Sequence, residues 1–277
     1  MLVALTVREQ TKRRFWQRGK RWARGEVSSR FVEVCGARFL LIDAEKNKDG
    51  TLDWQEIRRI ACGECGRMLL PRGITPPAGS GVRPFHGTAL QLALMLTTAN
   101  QVLRMAAVPP RYMRVAVYDP LARLPALCTA LLPFAADVRV VTDRPQAYAV
   151  QEQLAMDTYG AALPVTTDVR ALDGSSLVLA PDGIQNLRPR VRGFVLSGRP
   201  EPQAGVISGY IPQVPQDCLN NLPDGCDAWQ FLSGLYELSG AKKLGEKPPL
   251  LLRMGDKNLP LRDAAWKLAG LDIGISV

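Results

Sequence analysis

The sequence predicts an α/β protein, with a parallel sheet in its larger domain and a smaller α/β unit ahead of it. Two observations carry this. Between Arg111 and Asp182, β-branched runs alternate with helical patterns. They are Met113-Arg-Val-Ala-Val-Tyr-Asp119, a helix over Leu121–Leu132, Asp137-Val-Arg-Val-Val-Thr142, a helix over Pro145–Tyr159 and the buried run Leu177-Val-Leu-Ala180. Such alternation implies parallel strands joined by right-handed crossovers. Earlier in the chain a separate set of strand and helix signals is closed by the Pro/Gly-rich loop Pro71–Gly81. The expected division is residues 1–86 as the N-terminal unit, 87–210 as the sheet domain with its leading helix, and 211–277 as a C-terminal helical segment.

Within the first unit, residues 1–8 alternate as a strand and Arg8–Arg24 reads as a basic helix. Phe31–Asp43 has strand character, and Gly66–Leu70 returns as a strand. Asp53-Trp-Gln-Glu56 has the form of a capping box and opens a helix to about Ala61. A long helix over Gly87–Ala107 is stopped by Pro109-Pro110. After Ala180 come the run Phe194-Val-Leu-Ser197, a Pro/Gly-rich passage to Pro223, a helix over Cys226–Leu238, a basic linker and a last helix over Leu261–Leu268 ended by Gly270.

Composition narrows the function classes. At 277 residues the chain buries one large or two modest cores without staples. The most apolar stretch, Thr88–Ala107, is interrupted by Gln91, Thr97, Thr98, Asn100, Gln101 and Arg104, so no membrane span is expected. No signal-peptide pattern opens the chain, and six scattered cysteines suit free thiols, which points to the cytoplasm. The net charge of +9 is concentrated in residues 1–30, where nine basic residues face Glu9 and Glu26. Phe15, Trp16 and Trp22 lie among them, an arrangement that suits phosphate contact and base stacking. A solvated basic face whose aromatics pack on the domain explains the same run, so nucleic acid is not the expected partner.

A dinucleotide site needs glycines after the first parallel strand, so that backbone N–H groups at the next helix N-terminus reach the pyrophosphate. Here the turn is Tyr118-Asp119-Pro120-Leu121-Ala122-Arg123. Asp119 reads as an N-cap and Pro120 as the first helical residue, which sets a carboxylate where the phosphate would lie. If Asp119 is only a cap, Asp119→Asn leaves stability nearly unchanged. Arg123 is a candidate to compensate the carboxylate. Asp143 and Arg144 stand where such folds read the ribose, Asp143 for hydroxyls and Arg144 for a 2′-phosphate, with capping ahead of Pro145 as the alternative.

Other constellations are weaker. Glu45–Glu56 resembles an EF-hand loop, but Glu45 replaces the usual Asp and no second hand follows. Cys62-Gly-Glu-Cys65 closes a helix, with no second pair to complete a zinc site, and no metal is expected. His86, the only histidine, is a candidate base at the start of the long helix, without a partner motif.

Gly87-Thr-Ala-Leu before the long helix, the strand ending in Asp143-Arg144, Tyr159-Gly160-Ala161 and Leu177-Val-Leu-Ala-Pro-Asp-Gly183 together resemble the nucleotide-binding half of the shikimate dehydrogenase and glutamyl-tRNA reductase group. The likeness spans about 100 residues and implies a Rossmann-like fold. It implies Asp143, Arg144, Asp182 and Gly183 as cofactor-side residues, to which Arg123 is added from its place in the altered turn. Two departures imply a degenerate relative: the Gly-rich turn is replaced, and no lysine occurs between Lys48 and Lys242 to match the shikimate dehydrogenases' catalytic one. The reading is a Rossmann-like protein binding a small ligand or a protein partner without standard NAD(P) chemistry. The alternatives are an NADP-dependent oxidoreductase using Arg123 and Arg144, and a regulatory module whose basic N-terminal helix contacts nucleic acid.

Overall fold

The structure is a computed structural model that describes residues 1–9, 25–62 and 67–270. The basic segment 10–24 and Cys65 lie outside the described residues, and with them the expected basic helix and half of the Cys62/Cys65 pair. The chain forms two compact units, one of Met1–Leu90 with Val214–Leu244, the other of Gln91–Gln213 with Gly245–Val277.

In the first unit, β1 (Leu2–Arg8), β2 (Val27–Val34), β3 (Ala37–Glu45) and β4 (Met68–Leu69) form a sheet in the order β2-β3-β1-β4. β1 runs parallel to both neighbours. Its first five residues are all buried, where alternation was expected, because a central parallel strand is covered on both faces. Val3 and Leu5 face Ile42, Met68 and the buried Ile57 and Ala61 of α1 (Trp54–Ala61). The expected cap holds: the Asp53 carboxylate accepts from the Glu56 N–H at 3.1 Å. The single run predicted over Phe31–Asp43 is in fact the hairpin β2-β3, turned by Cys35 and Gly36 at φ 53° and 71°. Two consecutive residues in the left-handed region give the turn whose twist matches the strands.

The second unit begins in α2 (Ala89–Ala106), followed by β5 (Arg114–Tyr118), α3 (Leu127–Leu131), β6 (Asp137–Val141), α4 (Ala149–Tyr159), β7 (Val165–Thr166), β8 (Leu177–Ala180), β9 (Phe194–Ser197) and β10 (Val206–Ile211). These six strands are parallel and lie side by side as β7-β6-β5-β8-β9-β10. In order of appearance that is 3-2-1-4-5-6, the order of a Rossmann-type sheet. Ala116, Val141, Leu172, Val178, Ala180, Ile184, Val195 and Val206 make one buried cluster on it.

The helix expected over Leu121–Leu132 is only α3. Pro125 lacks an N–H and biases Leu124 out of the helical region, while Ala122 is held at φ 52°. The helix expected from Pro145 starts as a 3-10 turn, Pro145–Tyr148, and becomes α-helical at Ala149. It ends at Gly160 (φ 61°), whose N–H reaches the Met156 carbonyl at 3.0 Å.

The chain then returns to the first unit as α5 (Gln216–Asn220) and α6 (Ala228–Leu238), the latter capped by the Asp227 carboxylate on the Gln230 N–H at 3.0 Å. α6 sets Phe231 edge-on to Phe39, with ring centroids 5.3 Å apart. Arg72 donates to Asp227 at 2.6 Å and holds that carboxyl below the usual carboxylate range. α5 carries Cys218, which is bonded to Cys35 of the hairpin turn with Cα atoms 6.1 Å apart. This corrects the expectation of free thiols throughout: residues 183 positions apart are joined.

After the short α7 (Lys243–Glu246), the basic linker leads into the hairpin of β11 (Leu251–Met254) and β12 (Lys257–Leu259), which extends the large sheet antiparallel from β10. The C-terminal segment is therefore helical only in part. α8 (Leu261–Leu268) closes the described chain ahead of Gly270 at φ 75°. Among the described residues no helix is long and apolar enough to cross a membrane.

Candidate functional site at the carboxyl edge of the parallel sheet

In an open parallel sheet, ligands bind outside the carboxyl ends of the strands where the strand order reverses. Here that point lies between β5 and β8, which pair from Val115↔Leu177 to Val117↔Leu179. The segments after β5, β6, β8 and β9 meet there. They carry Asp119 and Arg123, Asp143 and Arg144, Asp182 and Gly183, and Arg199 and Glu201.

Asp119 is fully buried. Its Oδ1 accepts from the Arg123 N–H at 2.9 Å, its Oδ2 from the Leu124 N–H at 2.8 Å and from the Tyr148 hydroxyl at 2.7 Å. Asp119 is therefore no helix N-cap, because no helix starts beside it. The carboxylate sits inside its own loop and takes the amides that a phosphate would need, as an anion occupies a backbone nest. Burial and the bond to Asp119 push the Tyr148 hydroxyl well up, which keeps it a donor. Burial, with Asp119 beside it, pushes the Cys128 thiol up to about 12, so it is a neutral core side chain.

The loop after β8 is filled in the same way from the segment that follows β9. Glu201 Oε1 accepts from the N–H groups of Ile184 at 2.7 Å and Gln185 at 3.3 Å. Gly183 stands at φ 83°, and a Cβ there would meet the Glu201 carboxylate. Gly183→Ala is expected to cost about 1–3 kcal/mol through left-handed strain and displacement of Glu201. A melting temperature equal to that of the unaltered protein would refute this account of the loop.

Asp182, 4% exposed, receives Arg123 Nη1 and Arg199 Nη2, both at 3.0 Å and both on Oδ1. Asp182 Oδ2 and Glu201 Oε2 are buried without a hydrogen-bond partner among the described residues. Arg199 is fixed through its backbone, since its N–H donates to Ser197 Oγ at 3.1 Å and its carbonyl accepts from the same hydroxyl at 2.7 Å.

Of the residues singled out in the sequence, Arg123, Asp182 and Gly183 come together at the β5–β8 junction. Asp143 and Arg144 lie exposed beside it at the end of β6. The Arg144 N–H donates to Thr142 Oγ1 at 3.2 Å and its Nη1 reaches the Leu121 carbonyl at 3.5 Å. His86 is exposed in the first unit, with no hydrogen bond or ion pair among the described residues. In the loop that resembles an EF-hand, Glu45 is part of β3 and Asn47 Oδ1 accepts from the Gly25 N–H at 2.8 Å. Asp49 accepts from Thr51 through Oγ1 at 2.6 Å and the N–H at 2.9 Å, bonds that lower its pKa. Cys62 is the exposed C-cap of α1 at φ 45°. Among the described residues no group of three or more His, Cys, Asp or Glu could hold a metal ion.

Three contributors escaped the sequence reading. Arg199 and Glu201 carried a signal, because charges directly after a buried parallel strand lie on the ligand edge. Tyr148 carried none, since only the crossover brings it to Asp119.

Strand order and site together define a Rossmann-like α/β protein whose switch-point amides are engaged by its own carboxylates. No protein-family model matches the chain, and no curated protein matches it. Among solved structures it is similar to the L-tryptophan dehydrogenase from Nostoc punctiforme, with 14% identity, a TM-score of 0.31 and coverage of 83% of this chain and 75% of that one. The fold assignment rests on the strand order, and a TM-score of 0.31 adds nothing to it.

Proposed function

We propose that this protein binds a small ligand or a protein partner at the carboxyl edge of its Rossmann-like sheet, without standard NAD(P) chemistry. The observation that carries the reading is the occupation of the amides after β5 by Asp119 and of those after β8 by Glu201. A pyrophosphate would have to displace two carboxylates and would face their charge. It would also lack a helix terminus, because α3 is five residues long and starts only at Leu127. The resemblance to the shikimate dehydrogenase and glutamyl-tRNA reductase group is, on this reading, one of scaffold.

Calorimetric titration with NADP, NADPH and NAD at moderate salt tests it. The expected result is no saturable binding at about 1 mM, a threshold near −4 kcal/mol. Micromolar binding of any of the three would overturn the proposal and make the NADP-linked oxidoreductase reading primary, with Arg144→Ala the first variant to assay.

A further inference from the structure

We infer that the β5–β8 junction receives a small carboxylate, gripped by the side chains of Arg123 and Arg199. The inference rests on the reading that this edge binds a small ligand. Both guanidiniums converge on one oxygen, Asp182 Oδ1, at 3.0 Å each. A guanidinium offers five N–H donors in a rigid fork, and in each arginine one nitrogen is spent on Asp182. The side chains are 49% and 48% exposed, whereas Asp182 is 4% exposed. One buried carboxylate thus holds two half-exposed guanidiniums side by side, with their remaining N–H groups uncommitted to it.

The ion pairs do not explain themselves as stabilising contacts. Half-exposed ion pairs contribute little. Asp182 is buried with Oδ2 left without a donor among the described residues, which is costly for a carboxylate. A buried carboxylate oxygen without a donor, beneath two half-exposed guanidiniums at the ligand edge of the fold, fits a recognition site. The arginines are also mounted on pinned backbone. The Arg123 N–H is held by Asp119, and the Arg199 loop is tied through Ser197, whose carbonyl accepts from the buried Tyr210 hydroxyl at 2.9 Å. Little ordering remains to be done on binding.

A carboxylate fits better than a phosphate. Its planar pair of oxygens matches the guanidinium fork. A phosphate in such folds is held by backbone amides, and those after β5 and β8 are already taken by Asp119 and Glu201. Asp182 is a positioning residue in this scheme.

The test is titration of the full chain with succinate and citrate at low chloride, with inorganic phosphate and sulfate in parallel and NADPH as a separate arm. Saturable succinate or citrate binding is expected, weakened about tenfold or more by Arg123→Gln and by Arg199→Gln. Arg199→Lys should restore only part of the loss, because an ammonium lacks the fork. Circular dichroism and melting of each variant confirm that it folds. Absence of saturable carboxylate binding at about 20 mM, equal binding of sulfate and phosphate, or indifference to Arg199→Gln would each overturn the inference. If neither succinate nor NADPH binds, the carboxylate inference alone falls. If NADPH binds, the reading without NAD(P) chemistry falls, and the succinate arm still decides the carboxylate.

Discussion

Asp119→Ala lowers the stability of the parallel-sheet unit by about 3 kcal/mol, since each hydrogen bond to a charged group contributes roughly 1.5–3 kcal/mol and part is recovered by rehydration. At roughly 2–4 °C per kcal/mol for a domain of this size, the melting temperature falls by about 6–12 °C. The loss has three parts: the acceptor for the Arg123 N–H, the acceptor for the Leu124 N–H, and the partner of the Tyr148 hydroxyl. Tyr148 is fully buried, so its hydroxyl would be stranded. Asp119→Asn is milder, about 1–2 kcal/mol, because the amide keeps one acceptor but turns an NH2 toward a donor. Tyr148→Phe removes one bond of the three and costs about 1 kcal/mol. Urea unfolding of the three variants checks the ranking. Equal stability of Asp119→Asn and the unaltered protein would restore the simple-cap interpretation and remove the argument that this carboxylate organises the loop.

Breaking the Cys35–Cys218 bond gives the second large effect. The bond joins positions 183 residues apart, so it bars the unfolded chain from a large set of conformations. Chain-entropy reasoning for a loop of that length gives about 5 kcal/mol, and measured disulfides more often contribute about 2–4 kcal/mol. Cys35→Ser, or unfolding in the presence of a phosphine reductant, is expected to lower the transition midpoint, with a change in slope because the unfolded state expands. Peptide mapping under non-reducing conditions should recover the two cysteines in one linked pair. A denaturation curve indifferent to reductant, with both thiols alkylated in the native protein, would show that the pair is not closed in solution.

The central strands were legible because a strand buried on both faces leaves a continuous apolar run. Phe194–Ser197 and Leu177–Ala180 are such runs, and both lie where they were read. The α1 cap was legible because Asp53 acts on an amide three residues on. Strands whose stability comes from neighbours were missed. β7 has two residues, and β10 follows a Pro-rich stretch that reads as loop. The β11-β12 hairpin was missed as well, read as part of a basic linker although Gly255-Asp256 between Met254 and Lys257 is a turn signal.

The carboxyl-edge site divides along the same line. That Asp119-Pro120 replaces a glycine turn, and that a carboxylate thereby enters a phosphate position, is a property of adjacent residues, and the sequence alone determined it. That the carboxylate is locked there by Tyr148, that Glu201 fills the neighbouring loop, and that Arg123 and Arg199 converge on Asp182 was decided by the tertiary structure. Those partners are separated by 16 to 59 positions along the chain. Only the crossovers of the parallel sheet bring the ends of β5, β8 and β9 to one edge, and short-range pattern has no access to a hydrogen bond made across three strands.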